Sequence, residues 1–244
     1  MTFKHLEDHL QDEKSIAEYF ELTGNLKEPT KTVLHYALDI ASCLNTRGLD
    51  DKYVVFGGYA VLSHLMDKYG SNFANMWRGS QDIDMAGTIE VLQTLKQEYD
   101  IKSDLPSPNI PNKRTIKLVE DSEKECKIDY SLVEEVRRMF SAPEIHFHLG
   151  IPLIVASPLR LIKGKLATPR VQPEHNLDIF SMIGVLESKG YSPESIVTHF
   201  DYEEKKELFE RLKLGKSLTS MNRFSFGPEE RFEKSLEREL KRYT

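Results

Sequence analysis

The sequence predicts an α/β (α+β) protein in which a mixed sheet with flanking helices is followed by a helical bundle. The apolar run Val54-Val55-Phe56 is of strand type, stops at Gly57-Gly58 and is followed by helical spacing. Apolar and polar residues alternate over 82–85 and again over 126–130, as in strands with one buried face. From Ser157 onward the patterned stretches have helical spacing.

Length and composition fit a two-domain protein of a reducing compartment. The 244 residues suffice for a first domain at 1–155, which includes an N-terminal helical arm, and a helical C-terminal domain at 156–244. The net charge of −6 argues against an extended nucleic-acid groove. Cys43 and Cys126 give neither a disulfide framework nor zinc-ligand spacing. We expect a cytoplasmic protein without a membrane segment, because the N-terminus is polar and long apolar runs are missing.

The N-terminal arm, residues 1–48, is predicted to form two helices. Gly24 interrupts the helical spacing, and Pro29-Thr30 begins the second helix. The arm is acidic, which would suit a docking surface, but we favour an arm that packs against the sheet.

The remaining predicted elements include both helices and strands before residue 156 and only helices after it. Three prolines predict a loop at 103–112. The other predicted elements are a helix at 89–99, a hairpin of strands 115–119 and 126–130 around a polar turn at 121–124, a strand at 151–156, and helices that begin near residues 157, 178, 193, 202 and 228.

The stretch 54–88 carries the residues that point to a chemical function. Asp82 and Asp84 lie two apart in a predicted strand, so both carboxylates point to one side. Two close carboxylates repel each other unless a cation lies between them, and oxygen ligands favour a hard ion such as Mg²⁺. Gly57-Gly58 lets the backbone approach a ligand closely, and the following helix start offers N–H groups to an anion. Together these features indicate metal-dependent nucleotidyl transfer.

These residues resemble the nucleotidyltransferase superfamily with the DNA polymerase β fold. The pattern Gly57-Gly58, then Arg78-x-Ser80-x-Asp82-x-Asp84, is closest to the AbiEii/AbiGii and MenT toxin family. The resemblance implies a nucleotidyltransferase fold, nucleotide contacts from Gly57, Gly58, Arg78 and Ser80, and metal binding by the two acids. The spacing differs from the family, since 24 positions separate Gly58 from Asp82, and we interpret 70–77 as an insertion.

A third carboxylate is expected in a two-metal phosphoryl-transfer site, where it completes the ion shell and accepts a proton from the attacking hydroxyl. Asp129 is the best candidate by its order in the chain and its setting, on the polar face of the return strand of the predicted hairpin. The superfamily carries its third acid on a later strand, so the resemblance implies the same role. We therefore predict Asp82, Asp84 and Asp129 as both metal ligands and catalytic residues.

A second motif follows Ser157-Pro158. Lys165 lies off the apolar stripe of its helix, from where it could reach a phosphate and stabilise developing charge. Lys165, Arg170 and Asp178 match the second motif of the toxin family by type, which implies nucleotide binding by all three and a catalytic role for Lys165. Glu174 and His175 replace the basic residue and aspartate of that motif, so their roles stay open.

The segment Ile145-His146-Phe147-His148-Leu149 places two histidines on one strand face. A two-histidine metal site is one interpretation of this spacing. We favour the other, a half-exposed strand.

The predicted function is transfer of a nucleoside monophosphate from an NTP to an acceptor, with two Mg²⁺ ions or Mn²⁺ in their place. The toxin resemblance implies an RNA acceptor such as the tRNA 3′ end, and an antitoxin partner. One alternative is an enzyme that modifies a small molecule such as an aminoglycoside antibiotic. The other is a catalytically silent module that binds a nucleotide or a partner. The base preference and the oligomeric state stay open.

Overall fold

The computed structural model describes residues 4–24, 26–70, 79–120, 124–168, 172–222 and 230–243. The chain divides into two compact units, Met1–Ala156 and Ser157–Thr244. Residues 71–77 of the predicted insertion at 70–77, most of the turn at 121–124, Arg78 and Arg170 lie outside the described residues.

A mixed sheet forms the centre of the first unit. Within the described ranges its strands are β1 (Tyr53–Phe56), β2 (Asp82–Gly87), β3 (Ile101–Pro106), β4 (Lys113–Glu120), β5 (Lys124–Leu132), β6 (Glu144–His148) and β7 (Ile151–Val155). These seven strands lie in the order β3-β4-β5-β2-β1-β7-β6. The β2–β5 and β1–β7 pairs are parallel, and the other neighbours are antiparallel.

Helices flank this sheet, and their packing follows their apolar faces. They are α1 (Lys4–Glu7), α2 (Glu13–Thr23), α3 (Thr30–Thr46), α4 (Gly57–Tyr69), α5 (Ile89–Glu98) and α6 (Val136–Met139). The long helix α3 is almost entirely buried and packs on β2, β5 and β7. Helix α4 packs on β1, β2 and β6.

The N-terminal arm is integrated into the first unit. The buried carboxylate of Asp39 accepts hydrogen bonds from the Leu6 backbone N–H at 2.7 Å and from the Tyr99 hydroxyl at 2.7 Å. The arm contains three helices among its described residues, where the sequence predicts two. The preferred interpretation, an arm that packs on the sheet, agrees with this burial.

The second unit is helical throughout its described residues. Its helices are α7 (Pro158–Leu166), α8 (Pro173–Ser188), α9 (Pro193–Val197), α10 (Tyr202–Asn222) and α11 (Glu230–Leu240). Helix α8 packs between α7 and α10, and α11 packs on α9 and α10. The predicted fold class, a mixed sheet with flanking helices followed by a helical bundle, is confirmed.

The loop predicted at 103–112 is partly wrong. Residues 101–106 form the edge strand β3, which pairs with β4, and only the later residues connect the two strands. Asp104 accepts a hydrogen bond from Arg114 Nε at 2.6 Å, which ties the strands together. Proline is tolerated because Pro106 ends an edge strand, where the sheet does not need its N–H.

The half-exposed strand predicted around His146 and His148 is β6, and the two histidines form its buried face. Both histidines are buried, whereas Ile145 and Phe147 are 57% and 67% exposed. The histidines face inward because the hydroxyl of Ser63, on α4, lies 2.8 Å from His146 Nδ1 and 3.0 Å from His148 Nε2. Burial lowers the pKa of His148 to about 4, so its ring is neutral at pH 7.

Every helix that the structure describes is too short or too polar to cross a lipid bilayer.

Candidate active site

The two predicted acids on β2 point to one face of the sheet. Asp82 and Asp84 are partly exposed, and the intervening Ile83 and the following Met85 are fully buried on the other face. The alternation therefore places two carboxylates over the sheet while apolar neighbours anchor the strand.

The parallel pairing of β2 and β5 brings the third predicted acid beside the first two. Asp84 is in register with Asp129, and Asp82 is in register with Lys127. Side chains in register on neighbouring strands point to the same face. Three carboxylates and one ammonium group consequently form a four-residue cluster across two strands that lie far apart in sequence.

Lys127 is the cation of this cluster. Its Nζ lies 3.2 Å from Asp82 Oδ2 and 3.1 Å from Asp129 Oδ2. Partial burial lowers the pKa of Lys127, but hydrogen bonds and charge from Asp129 and Asp82 outweigh that effect and raise the pKa above its ordinary value. The ammonium group therefore offsets the repulsion between the carboxylates.

Asp129 is held at both of its carboxylate oxygens. The Thr115 hydroxyl, across the β4–β5 pair, donates a hydrogen bond to Oδ1 at 2.9 Å, while Lys127 contacts Oδ2. Lys113 lies 3.8 Å from Oδ2 and adds positive charge. These contacts fix the carboxylate's orientation toward the cluster.

Gly57 follows β1, begins α4 and lies against Asp84. Its φ of +69° lies in the left-handed region, and a Cβ at this position would lie only 1.9 Å from Asp84 Oδ2. The missing side chain creates the space that the Asp84 carboxylate occupies. Gly58 follows in the first turn of α4, and the positive φ belongs to Gly57.

Ser80, predicted to bind the nucleotide, is buried and hydrogen-bonds the start of β2. Its hydroxyl donates to the Asp82 backbone carbonyl at 3.0 Å, and its N–H donates to Thr30 Oγ1 at 3.0 Å. These bonds position the start of β2. The role of Ser80 toward a nucleotide stays a prediction.

Lys165 and Asp178 contact each other within the second unit. Lys165 Nζ lies 3.0 Å from Asp178 Oδ2, and the aspartate is fully buried. Breaking such a pair leaves an uncompensated buried charge, so the two residues depend on each other for stability. Glu174 is exposed and His175 half-buried in the first turn of α8. The roles predicted for Lys165, Asp178 and Arg170 toward a nucleotide stay predictions.

The structure thus brings Gly57, Asp82, Asp84 and Asp129 together within the first unit. Sequence reasoning missed Lys127 and Thr115 as partners of the acids. The sequence pattern places Lys127 and Asp129 on one strand face, but only the β2–β5 register shows that Lys127 reaches Asp82.

Comparison with solved structures identifies the fold. The chain is similar to an antigenic nucleotidyltransferase-like protein from Paracoccidioides brasiliensis, with a TM-score of 0.51 and 14% identity over 83% of this chain and 96% of that chain. It also aligns with the polyadenylate synthase of Megavirus at a TM-score of 0.34 and 10% identity, over 80% of this chain and 37% of that chain, a likeness too weak to support an argument. No protein-family model and no curated protein matches the sequence. The first similarity supports the nucleotidyltransferase-like fold class predicted from the sequence.

Proposed function

We propose that this protein transfers a nucleoside monophosphate from an NTP to an acceptor in a metal-dependent reaction. The main support is the carboxylate cluster of Asp82, Asp84 and Asp129, on one face of two neighbouring strands and next to a glycine that starts a helix. Acids in this arrangement can hold a hard cation against a triphosphate, as phosphoryl transfer requires.

The residues fit a divalent cation such as Mg²⁺ or Mn²⁺. All three donors are carboxylate oxygens, and an ammonium group already lies within 3.2 Å of two of them. Gly57 leaves the space that the Asp84 carboxylate needs. Asp82, Asp84 and Asp129 would hold the metal, and the family resemblance implies two ions. When bound, the metal would stabilise negative charge that develops on phosphate oxygens.

The chain's own residues have separate tasks in this proposal. Asp129 accepts the proton of the attacking hydroxyl, with its carboxylate oriented by Thr115. The N–H groups at the start of α4, next to Gly57-Gly58, bind phosphate oxygens of the NTP. The resemblance adds nucleotide contacts from Arg78, Ser80, Lys165, Arg170 and Asp178, with Lys165 supplying positive charge.

The acceptor and the biological role rest on the resemblance alone. The resemblance implies an RNA acceptor such as the tRNA 3′ end. It also implies the role of a cytoplasmic toxin that a partner antitoxin restrains. Neither the charge nor the fold selects these over other acceptors, because one fold hosts many activities.

Lys127 supports a second candidate, a catalytically silent module that binds a nucleotide or a partner. An internal ammonium group between Asp82 and Asp129 compensates their charges without any metal. A site in which Lys127 permanently replaces the cation would keep the acids together without binding Mg²⁺.

Incubation with Mg²⁺, each NTP labelled at the α-phosphate, and total RNA tests the proposal. We expect label on RNA with the wild type and none with Asp84→Asn. Asp67→Asn, which changes an exposed acid on α4, should label RNA normally. Label on an added aminoglycoside instead would identify a small-molecule acceptor. No transfer to either acceptor, together with unchanged unfolding temperature in Mg²⁺–NTP, would contradict transfer and favour a silent module that binds a partner and not a nucleotide.

A further inference from the structure

A second group of ligand-type side chains lies apart from the carboxylate cluster, between α4 and the edge strand β6. Glu144 Oε2 lies 3.6 Å from His64 Nδ1 and 3.4 Å from His146 Nε2. The three ligand atoms all lie within 4.8 Å of one another. We refer to His64, Glu144 and His146 as the histidine–glutamate group.

The hydrogen bond behind His64 determines which of its ring nitrogens faces the group. His64 Nε2 lies 2.8 Å from the backbone carbonyl oxygen of Ala156. A carbonyl oxygen can only accept a hydrogen bond, so Nε2 carries the proton and donates it. In the neutral ring, Nδ1 then directs a lone pair toward Glu144.

Ser63 connects His146 to His148 in a similar way. Its hydroxyl has one proton and bonds to both rings, so it donates to one ring and accepts from the other. His146 Nε2 lies at hydrogen-bond distance, 3.4 Å, from Glu144 Oε2, and it donates there when Ser63 donates to His146 Nδ1. In the opposite arrangement Ser63 donates to His148 Nε2 and His146 Nδ1 donates to Ser63, so His146 Nε2 offers a lone pair to a metal in place of that proton.

In the arrangement in which Ser63 donates to His148, three acceptor atoms converge on one point. His64 is 0% exposed and His146 is 3% exposed, so water cannot easily separate them. A cation between these three atoms would compensate the negative charge of Glu144. The Glu144 side chain is 30% exposed, which leaves one open side from which an ion can enter.

We propose that His64 Nδ1, His146 Nε2 and the Glu144 carboxylate bind Zn²⁺, with water as a fourth ligand. Two imidazoles and one carboxylate are a common zinc ligand set, with bonds of about 2.0–2.2 Å. Tetrahedral bonds of that length separate neighbouring donor atoms by about 3.3 Å, close to the 3.4 and 3.6 Å found here. Bonds from each ring's other nitrogen to Ala156 and Ser63 orient the ligands, as is usual for zinc-bound histidine.

The other described group with ligand-type side chains, His5, Cys43 and Glu98, fits a metal less well. Burial raises the pKa of Cys43 to about 11, so its thiol is protonated at pH 7 and is a poor ligand. Glu98 already forms an ion pair with Arg47. This group therefore serves as a matched control for the first.

Zinc at the histidine–glutamate group would fasten an edge strand to the helix that begins at Gly57. β6 pairs with β7 alone among the described strands, so one of its edges has no strand neighbour. A metal bound by β6 and α4 would hold the two elements together without a second strand beside β6.

The test is a calorimetric titration of Zn²⁺ into the untagged, metal-free chain of residues 1–244. The protein carries Asp82→Asn and Asp84→Asn, and excess Mg²⁺ is present. This background keeps the result independent of the proposed transferase site. We expect one Zn²⁺ per chain and a higher unfolding temperature with Zn²⁺. Glu144→Gln, at a partly exposed position, should abolish binding in a folded protein. Ser63→Ala should weaken it by about 10- to 100-fold.

Cobalt(II) substitution gives a second measurement, since its visible spectrum distinguishes four-coordinate from six-coordinate sites. We expect a four-coordinate spectrum in wild type and in the control His5→Ala, but not in His146→Ala or Glu144→Gln. No Zn²⁺ binding by the wild type would refute the proposal. Binding unaffected by Glu144→Gln, or lost in His5→Ala, would refute it equally.

Discussion

Gly57→Ala tests whether the glycine before α4 exists to make room for the Asp84 carboxylate. The new Cβ would lie 1.9 Å from Asp84 Oδ2, whereas Cβ contacts below 3.0 Å essentially do not occur in real proteins. The carboxylate must therefore move by about 1 Å, and a displacement of that size can reduce turnover by about 10²-fold. The positive φ adds about 1–2 kcal/mol of backbone strain for alanine.

Gly48→Ala separates these two effects. Gly48 has a similar φ of +66°, but nothing lies within 4 Å of a Cβ placed there. Both variants should lose about 1–2 kcal/mol, which lowers the unfolding temperature by about 2–4 °C per kcal/mol. Only Gly57→Ala should also lose turnover and Mg²⁺–NTP binding, measured by labelled transfer and calorimetry. Normal turnover in a folded Gly57→Ala protein would show that the Asp84 position does not depend on this glycine.

Three further changes probe the cluster and its surroundings. Asp129→Asn should keep Mg²⁺–NTP binding in calorimetry but lose about 10²- to 10⁴-fold in turnover, as expected for a general base. Asp82→Asn should lose Mg²⁺–NTP binding as well. Equal loss of binding in both variants would disprove this division of roles. Lys127→Met should lower the unfolding temperature without metal by about 2–4 °C, because about 1 kcal/mol of pairing is lost. It should also enlarge the rise in unfolding temperature that Mg²⁺ produces. A rise identical to that of the control Lys113→Met would contradict this. Hydrogen bonds from Arg114 and Lys96 lower the pKa of Asp104, so its stabilisation of about 0.2–1 kcal/mol is present above the ordinary pKa of 3.8 and lost as pH falls through the lowered value. Asp104→Asn should therefore be less stable than wild type in thermal unfolding at pH 7 and equally stable at the acid end, and a gap independent of pH would argue against the pairing.

The parts of the fold that the sequence predicts well are those encoded by local periodicity. Strands β2 and β5 alternate apolar and polar residues, so the shared face of Asp82 and Asp84 and the outward direction of Asp129 follow from the residue pattern alone. Helices such as α5 and α7 are equally visible from their apolar spacing.

The parts that the sequence does not predict depend on pairing between distant segments. β3 contains a proline and polar residues, and only its pairing with β4 makes it a strand. The inward direction of His146 depends on the Ser63 hydroxyl, 83 positions away in sequence. Lys127 reaches Asp82 only through the β2–β5 register, a long-range property that local patterns do not encode.

The β2–β5 register also limits how this chain can evolve. Six consecutive pairs, from Asp82 with Lys127 to Gly87 with Leu132, align the strands, and the buried residues between the polar ones lock that alignment. One inserted or deleted residue inside β5 would turn Asp129 toward the core or shift it past Asp84. Length variation among descendants should therefore accumulate beyond the last β4–β5 pair, Glu120 with Lys124. Selection that preserves Ile83, Ile128 and Tyr130 for packing then also preserves the spacing of the acids, even in a lineage where transfer is no longer required.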